Sequence, residues 1–220
     1  MKTKVSRIIL LGFLILLHSC NGQDKENSKN KLNESKMIEK FDFELYKKTN
    51  FGFENLIKQD GSKVVMIDFD SLSGGVIKEI PPNPSFKTIY KEFYPNGNIK
   101  KKEIFIGERT KIDTSEYYDE NGNAEEIDEN KKFGKIKPND VLKFLEKKKI
   151  INLSTSEGRF DENRNPSFEI QYNEKKNTYL ITIVNGKPNT GPFDGIGEPL
   201  AFLPISYQMD GETGKVEEVK

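Results

Sequence analysis

The sequence predicts an α+β fold made mainly of antiparallel β hairpins in a meander, followed by a small module of one helix and an antiparallel sheet. Three observations carry this expectation. Asn-Gly pairs at 96–97 and 121–122 sit between short runs of aromatic and β-branched residues, and Asn-Gly suits a tight hairpin turn because both central positions accept positive φ. A single capped amphipathic stripe begins at Pro138. Behind it lie strand-like runs at 168–172 and 178–184 and a closing hairpin at 205–219.

From 41 to 134 the chain reads as β-rich. Asp60-Gly61 precedes a strand at 64–69 in which Val65, Ile67 and Phe69 should face one way, and Asp68 and Asp70 the other. The region 135–220 opens with the helix. There Pro138, Asn139 and Asp140 supply the cap and first turn, Val141, Leu142, Phe144 and Leu145 form the apolar stripe, and Lys147, Lys148 and Lys149 suit the negative end of the dipole. A turn is expected at 173–177. The glycine-rich stretch 186–199 has neither phosphate-loop spacing nor a following helix pattern, so it is expected to be a long loop.

The first nineteen residues have another character. Lys2, Lys4 and Arg7 precede an apolar run at 8–17, then His18, Ser19 and Cys20, the layout of a secretory signal. The run is about half of the ~20 apolar residues needed to span a membrane. Cys20 is placed as in a lipoprotein lipobox, which implies cleavage after residue 19 and lipidation of Cys20; His18 departs from the usual small or aliphatic residue, and cleavage without lipid is the alternative. Residues 20–40 are almost free of apolar side chains and read as a flexible tether, holding the folded part roughly 25 Å from the lipid. In lipoproteins of the Bacteroidetes type an acidic residue soon after the cysteine accompanies transport to the cell surface, so a resemblance to that type would make Asp24 and Glu26 point to the outer membrane.

Composition excludes much chemistry. His18 and Cys20 are the only histidine and cysteine. Loss of the signal and lipidation of Cys20 would leave no imidazole and no free thiol, which removes Ser–His–Asp and Cys–His nucleophiles, His-ligated metals, thiol redox centres and disulfides. Three of the 35 basic residues and none of the 35 acidic ones lie in the signal, so the mature chain carries a net charge of −3. That is no footprint for nucleic acid. The lysine runs at 100–102 and 147–149 read as solvated faces.

Carboxylate pairs, Ser–Lys arrangements and oxygen-ligated metals remain. Asp68 and Asp70 could in principle act as acid and base from one strand face, though a solvent-facing strand end accounts for them more simply. Asp119, Asn121 and Asn123, like Asp161, Asn163 and Asn165, have the spacing that begins a calcium loop, but Ala124 and Pro166 stand where glycine is required, and the distal glutamate is missing in both. Both read as turns. No catalytic residue, cofactor site or metal site is therefore assigned.

Two resemblances follow from longer motifs. Glu92-Phe93-Tyr94-Pro95-Asn96-Gly97-Asn98 and Glu116-Tyr117-Tyr118-Asp119-Glu120-Asn121-Gly122-Asn123 resemble the MORN-variant repeat of bacterial proteins over about 90–129; the Asn-Gly pairs are 25 residues apart. The resemblance implies that Phe93, Tyr94, Tyr117 and Tyr118 line a shared ridge or core, and it implies no catalytic residue. The closing Tyr207-Gln208-Met209-Asp210-Gly211-Glu212-Thr213-Gly214-Lys215-Val216 makes 137–220 similar to a PepSY-type module. The 186–199 insertion and the absence of tryptophan are departures. That family implies binding or restraint of another exported protein.

The expected function is a membrane-anchored, exported lipoprotein of the cell envelope, a non-enzymatic module that binds a protein or envelope partner. An immunity or antitoxin-like protein is the alternative within binding. A carboxylate-dependent glycan hydrolase using Asp68 or Asp70 is the alternative from another class, and an assembly or structural lipoprotein is a third.

Overall fold

The computed structural model describes residues 38–191 and 200–219. The signal, His18, Cys20, Asp24, Glu26 and most of the tether lie outside the described residues, as do residues 192–199 of the expected loop. The described residues form one compact unit. It is an α+β fold, mainly antiparallel β. No helix among the described residues is long and apolar enough to cross a membrane.

A short helix, α1 (Phe43–Lys48), leads into seven strands: β1 (Leu56–Ile57), β2 (Lys63–Asp70), β3 (Gly74–Ile80), β4 (Lys87–Phe93), β5 (Ile99–Ile106), β6 (Thr110–Tyr118) and β7 (Ala124–Asp128). They pair in sequence order as an unbroken antiparallel meander. After a 3-10 turn at Glu129–Lys132 comes α2 (Pro138–Lys147), then β8 (Phe168–Asn173), β9 (Thr178–Pro188), β10 (Phe202–Asp210) and β11 (Val216–Val219) in a second antiparallel sheet. Residues 186–188 of the expected loop thus belong to β9. They are held there by pairing of Lys187 with Leu203 and of Pro188 with Phe202.

One turn design recurs at 58–62, 94–98, 119–123 and 161–165. In each, the first N–H donates to the fifth carbonyl and the fourth N–H to the first carbonyl, at 2.8–3.0 Å. Only the fourth residue has positive φ: Gly61 (+82°), Gly97 (+80°), Gly122 (+83°) and Arg164 (+66°). This is a type I turn closed by a bulge, in place of the expected two-residue turn with both central residues at positive φ. Proline at 95 is compatible with it, since its ring fixes a negative φ. Arg164 occupies a position that costs a residue with a Cβ about 1–2 kcal/mol.

Two cores fill the fold. The smaller gathers Phe41, Leu45, Val64, Ile67, Ile77, Phe93 and Ile99. The larger takes Phe86, Ile106 and Ile112 from the meander and joins them to Phe133, Val141, Leu142, Leu145 and the inward residues of β8 to β10. The helical stripe is as expected: Val141, Leu142 and Leu145 are buried, and Phe144 meets Tyr207 edge-on at 5.3 Å. The cap is shifted by one residue. Lys137 is the N-cap, Pro138 opens the first turn, and the Asp140 carboxylate reaches back to accept the Lys137 N–H at 3.0 Å. Truncating the fully buried Leu145 to alanine costs about 2–5 kcal/mol.

Three local readings change. In β2 a bulge lies between Val64 and Met66, so Val64 takes the buried position and Val65 sits at the irregularity, while Ile67 and Phe69 keep the inward side. Residues 38–40, read as tether, are bonded to the sheet through Glu39 O accepting from Ile99 N at 2.9 Å and through the Lys40–Asn98 bridge. Helix α1 lies within the stretch read as β-rich. The Asp42 carboxylate caps it by accepting the Leu45 N–H at 2.8 Å.

Candidate functional site

Pleating divides the meander into two faces. One packs on the smaller core; the other carries Met66, Lys78, Tyr90 and Glu103, which are successive cross-strand partners on β2, β3, β4 and β5. The next row on that face runs Asp68, Val76, Glu92, Lys101 and Tyr117. Alternation along five strands thus builds a broad, charged sheet surface.

Glu103 is its electrostatic centre and is only 4% exposed. It accepts from Lys111 at 2.5 Å and from the Tyr117 hydroxyl at 2.8 Å, with Lys101 at 3.5 Å. Burial pushes its carboxyl up, but those hydrogen bonds and the neighbouring ammonium charges outweigh it and hold the group below the carboxylate range. Glu92 behaves likewise: burial raises it, and bonds from Lys100 and Lys101 bring it down. These groups satisfy one another and stiffen the surface.

Beside this network the face is hollowed. A cleft of about 290 Å³ is lined by Met66, Lys78, Thr88, Tyr90, Glu103 and Phe105 among others. It shares Met66, Lys78, Thr88 and Glu108 with a larger cleft of about 480 Å³, within the range of small-molecule sites. Lys63, Val65 and Ile80 extend the larger cleft along the sheet, and Phe160, Arg164 and Pro166 wall it from the loop that precedes β8. Lys78 is paired with Glu108 at 2.5 Å. Lys63 and Arg164 have no ion-pair partner among the described residues.

The wall is fastened by a buried guanidinium. Arg159, 8% exposed, donates from Nη1 to the Ser85 carbonyl at 2.9 Å and from Nη2 to Thr88 Oγ1 at 2.7 Å. Burial pulls its pKa down to about 10. No carboxylate among the described residues forms an ion pair with it. The Ser156 hydroxyl accepts from Ser85 N at 2.5 Å, a second stitch between this loop and the connection that joins β3 to β4.

Asp68 and Asp70 are each engaged by neighbouring groups on β2 and the turn that follows it. Asp70 is taken up by its own turn, accepting from Leu72 N at 2.9 Å, Ser73 N at 2.8 Å and Ser73 Oγ at 3.0 Å. Those bonds lower its pKa, whereas a general acid at neutral pH needs a raised one. Asp68 accepts the Phe69 N–H at 2.9 Å and faces the Tyr46 hydroxyl at 3.4 Å. In the two loops with calcium-like spacing, Asp119 accepts from Asn121 N, Asn123 N and Asn123 Nδ2, and Asp161 accepts from Asn165 N. The first carboxylate of each is thereby committed to its turn. Among the described residues no group of three or more His, Cys, Asp or Glu is arranged to hold a metal.

The four aromatics of the repeated hairpins divide between the faces. Phe93 is in the smaller core and Tyr118 packs against it, while the Tyr94 hydroxyl donates to the Tyr118 carbonyl at 2.8 Å. Tyr117 lies on the opposite face, bonded to Glu103. The closing hairpin turns on Asp210, which accepts from Glu212 N, Thr213 N and Thr213 Oγ1.

Fold and cleft together define a two-sheet antiparallel β protein with an open, partly apolar, cation-bearing hollow on one sheet face. Comparison with known proteins finds no matching family model, no matching curated protein and no matching solved structure.

Motif reasoning does not reach the cleft residues Lys63, Lys78 and Arg164, nor Arg159, which fastens the wall. One signal is present: Asp161-Glu162-Asn163-Arg164-Asn165 repeats Asp119-Glu120-Asn121-Gly122-Asn123 with arginine at the glycine position.

Proposed function

We propose that this protein is an exported module, anchored to the cell envelope through lipid on Cys20, which acts by binding and not by catalysis. The observation that carries the binding reading is the cleft on the outer face of the meander, which couples apolar walls to cations with no ion-pair partner among the described residues. Such a hollow suits recognition. The carboxylates of the neighbouring sheet network support the same reading, since Glu92 and Glu103 are held below their ordinary range and cannot supply a proton at neutral pH.

The anchor is supported by the residue order at 2–20. Cys20→Ala should move the chain from the membrane fraction to the soluble envelope fraction, and retention of the variant in membranes would overturn the anchor. Binding is tested separately by exposing the lipid-free full chain to envelope extract. Identified, saturable partners lost on Arg164→Gly would favour the reading, and glycan turnover lost in an Asp68→Asn, Asp70→Asn double variant would replace it.

The MORN-variant reading of 90–129 draws support from the equal geometry of the turns at 94–98 and 119–123. The same turn also forms at 58–62 and 161–165, outside that stretch, so turn geometry alone is general hairpin chemistry.

A further inference from the structure

Arg164 stands out among the four equivalent turns. Gly61, Gly97 and Gly122 fill the positive-φ position in three of them, and the fourth holds a bulky cation there at φ +66°. A residue kept in a disfavoured conformation points to use of its side chain, and this side chain lines the larger cleft.

Its surroundings specify what it can meet. Lys63, Lys78 and Arg164 line the cleft with, among the described residues, a single carboxylate, Glu108, which is paired with Lys78. Lys63 and Arg164 therefore offer charge with no ion-pair partner among the described residues, and Arg159 adds a buried charge behind Thr88. The same cleft is lined by Val65, Met66, Ile80, Phe160 and Pro166, and Met66 is 48% exposed. Apolar walls beside cations with no ion-pair partner among the described residues, in a cleft of about 480 Å³, fit a ligand with a negative head and an apolar body.

We infer that the larger cleft binds a small amphipathic anion, its carboxylate or phosphate head held by Arg164 and Lys63 and its hydrocarbon body lying on Met66, Ile80 and Phe160. This rests on the binding reading above but not on the lipid anchor. The positive-φ arginine is thereby a specificity residue, retained at a cost in stability.

The test is calorimetric titration of the full-length chain with octanoate and octyl phosphate at low salt, with octanol as the uncharged control. Both anions should bind saturably with one site, and octanol roughly tenfold or more weaker. The tighter of the two anions names the head group. Arg164→Gly is the decisive variant because it places the residue favoured by the backbone: its melting temperature should hold or rise while anion affinity falls about tenfold or more. Lys63→Gln should weaken binding in the same direction. Absence of anion binding, equal binding of octanol, or unchanged affinity in Arg164→Gly would each overturn the assignment, whatever the Cys20→Ala fractionation shows.

Discussion

The Tyr94 hydroxyl donates to the backbone carbonyl of Tyr118, 2.8 Å away, so the end of one hairpin is tied to the end of the next across the sheet. This bond is partly buried. Tyr94→Phe keeps the ring and removes only the donor, and should cost about 1 kcal/mol. Urea unfolding should show a lower midpoint with an unchanged slope.

Thr88 is the side-chain acceptor that the buried Arg159 depends on. Thr88→Val preserves shape but leaves a desolvated charged donor unsatisfied, which should destabilise the protein by about 1–3 kcal/mol. Thr88→Ser, which restores the hydroxyl, should recover most of that loss in the same unfolding measurement.

Glu103 makes stability depend on acid pH. Its folded pKa lies below the ordinary 4.5, so its contribution is complete above that value and disappears as pH falls through the lower folded pKa. Unfolding midpoints followed downward from 4.5 should therefore fall more steeply for the native chain than for Glu103→Gln. Parallel profiles would remove Glu103 from the acid response.

Gly74 and Gly97 both have positive φ but differ in space. A Cβ at Gly74 would lie 2.0 Å from the Phe93 carbonyl oxygen, whereas at Gly97 the nearest atom is Phe43 Cε2 at 3.7 Å. Gly97→Ala should cost about 1 kcal/mol from backbone conformation alone. Gly74→Ala should cost about 3 kcal/mol or more, since the β3 and β4 backbones must also separate. Thermal unfolding of the two variants side by side measures the difference.

The helix at 138 and the strands around the Asn-Gly turns are legible in the sequence because local pattern and tertiary environment agree there. Val141, Leu142 and Leu145 fall on one side of a helix, and that side is the buried one. Helix α1 is hidden because six residues that include Phe43 and Tyr46 carry too short a period to separate helix from strand. Val65 reads one position off because a bulge is a property of two strands, invisible in one. The cleft is the least legible feature. Lys63, Arg164 and Phe160 meet only after the loop before β8 folds back over β2 and β3, and no spacing along the chain encodes that meeting.

The two cores also differ in when they can close. The smaller is drawn from residues between 38 and 118, whereas the larger needs partners from Phe86 to Met209. A chain emerging from its N-terminus can therefore complete the first while Phe86, Ile106 and Ile112 still wait for residues not yet released. During that interval the meander presents an apolar, aggregation-prone face. Delay in completing the C-terminal half therefore prolongs the exposure of that face.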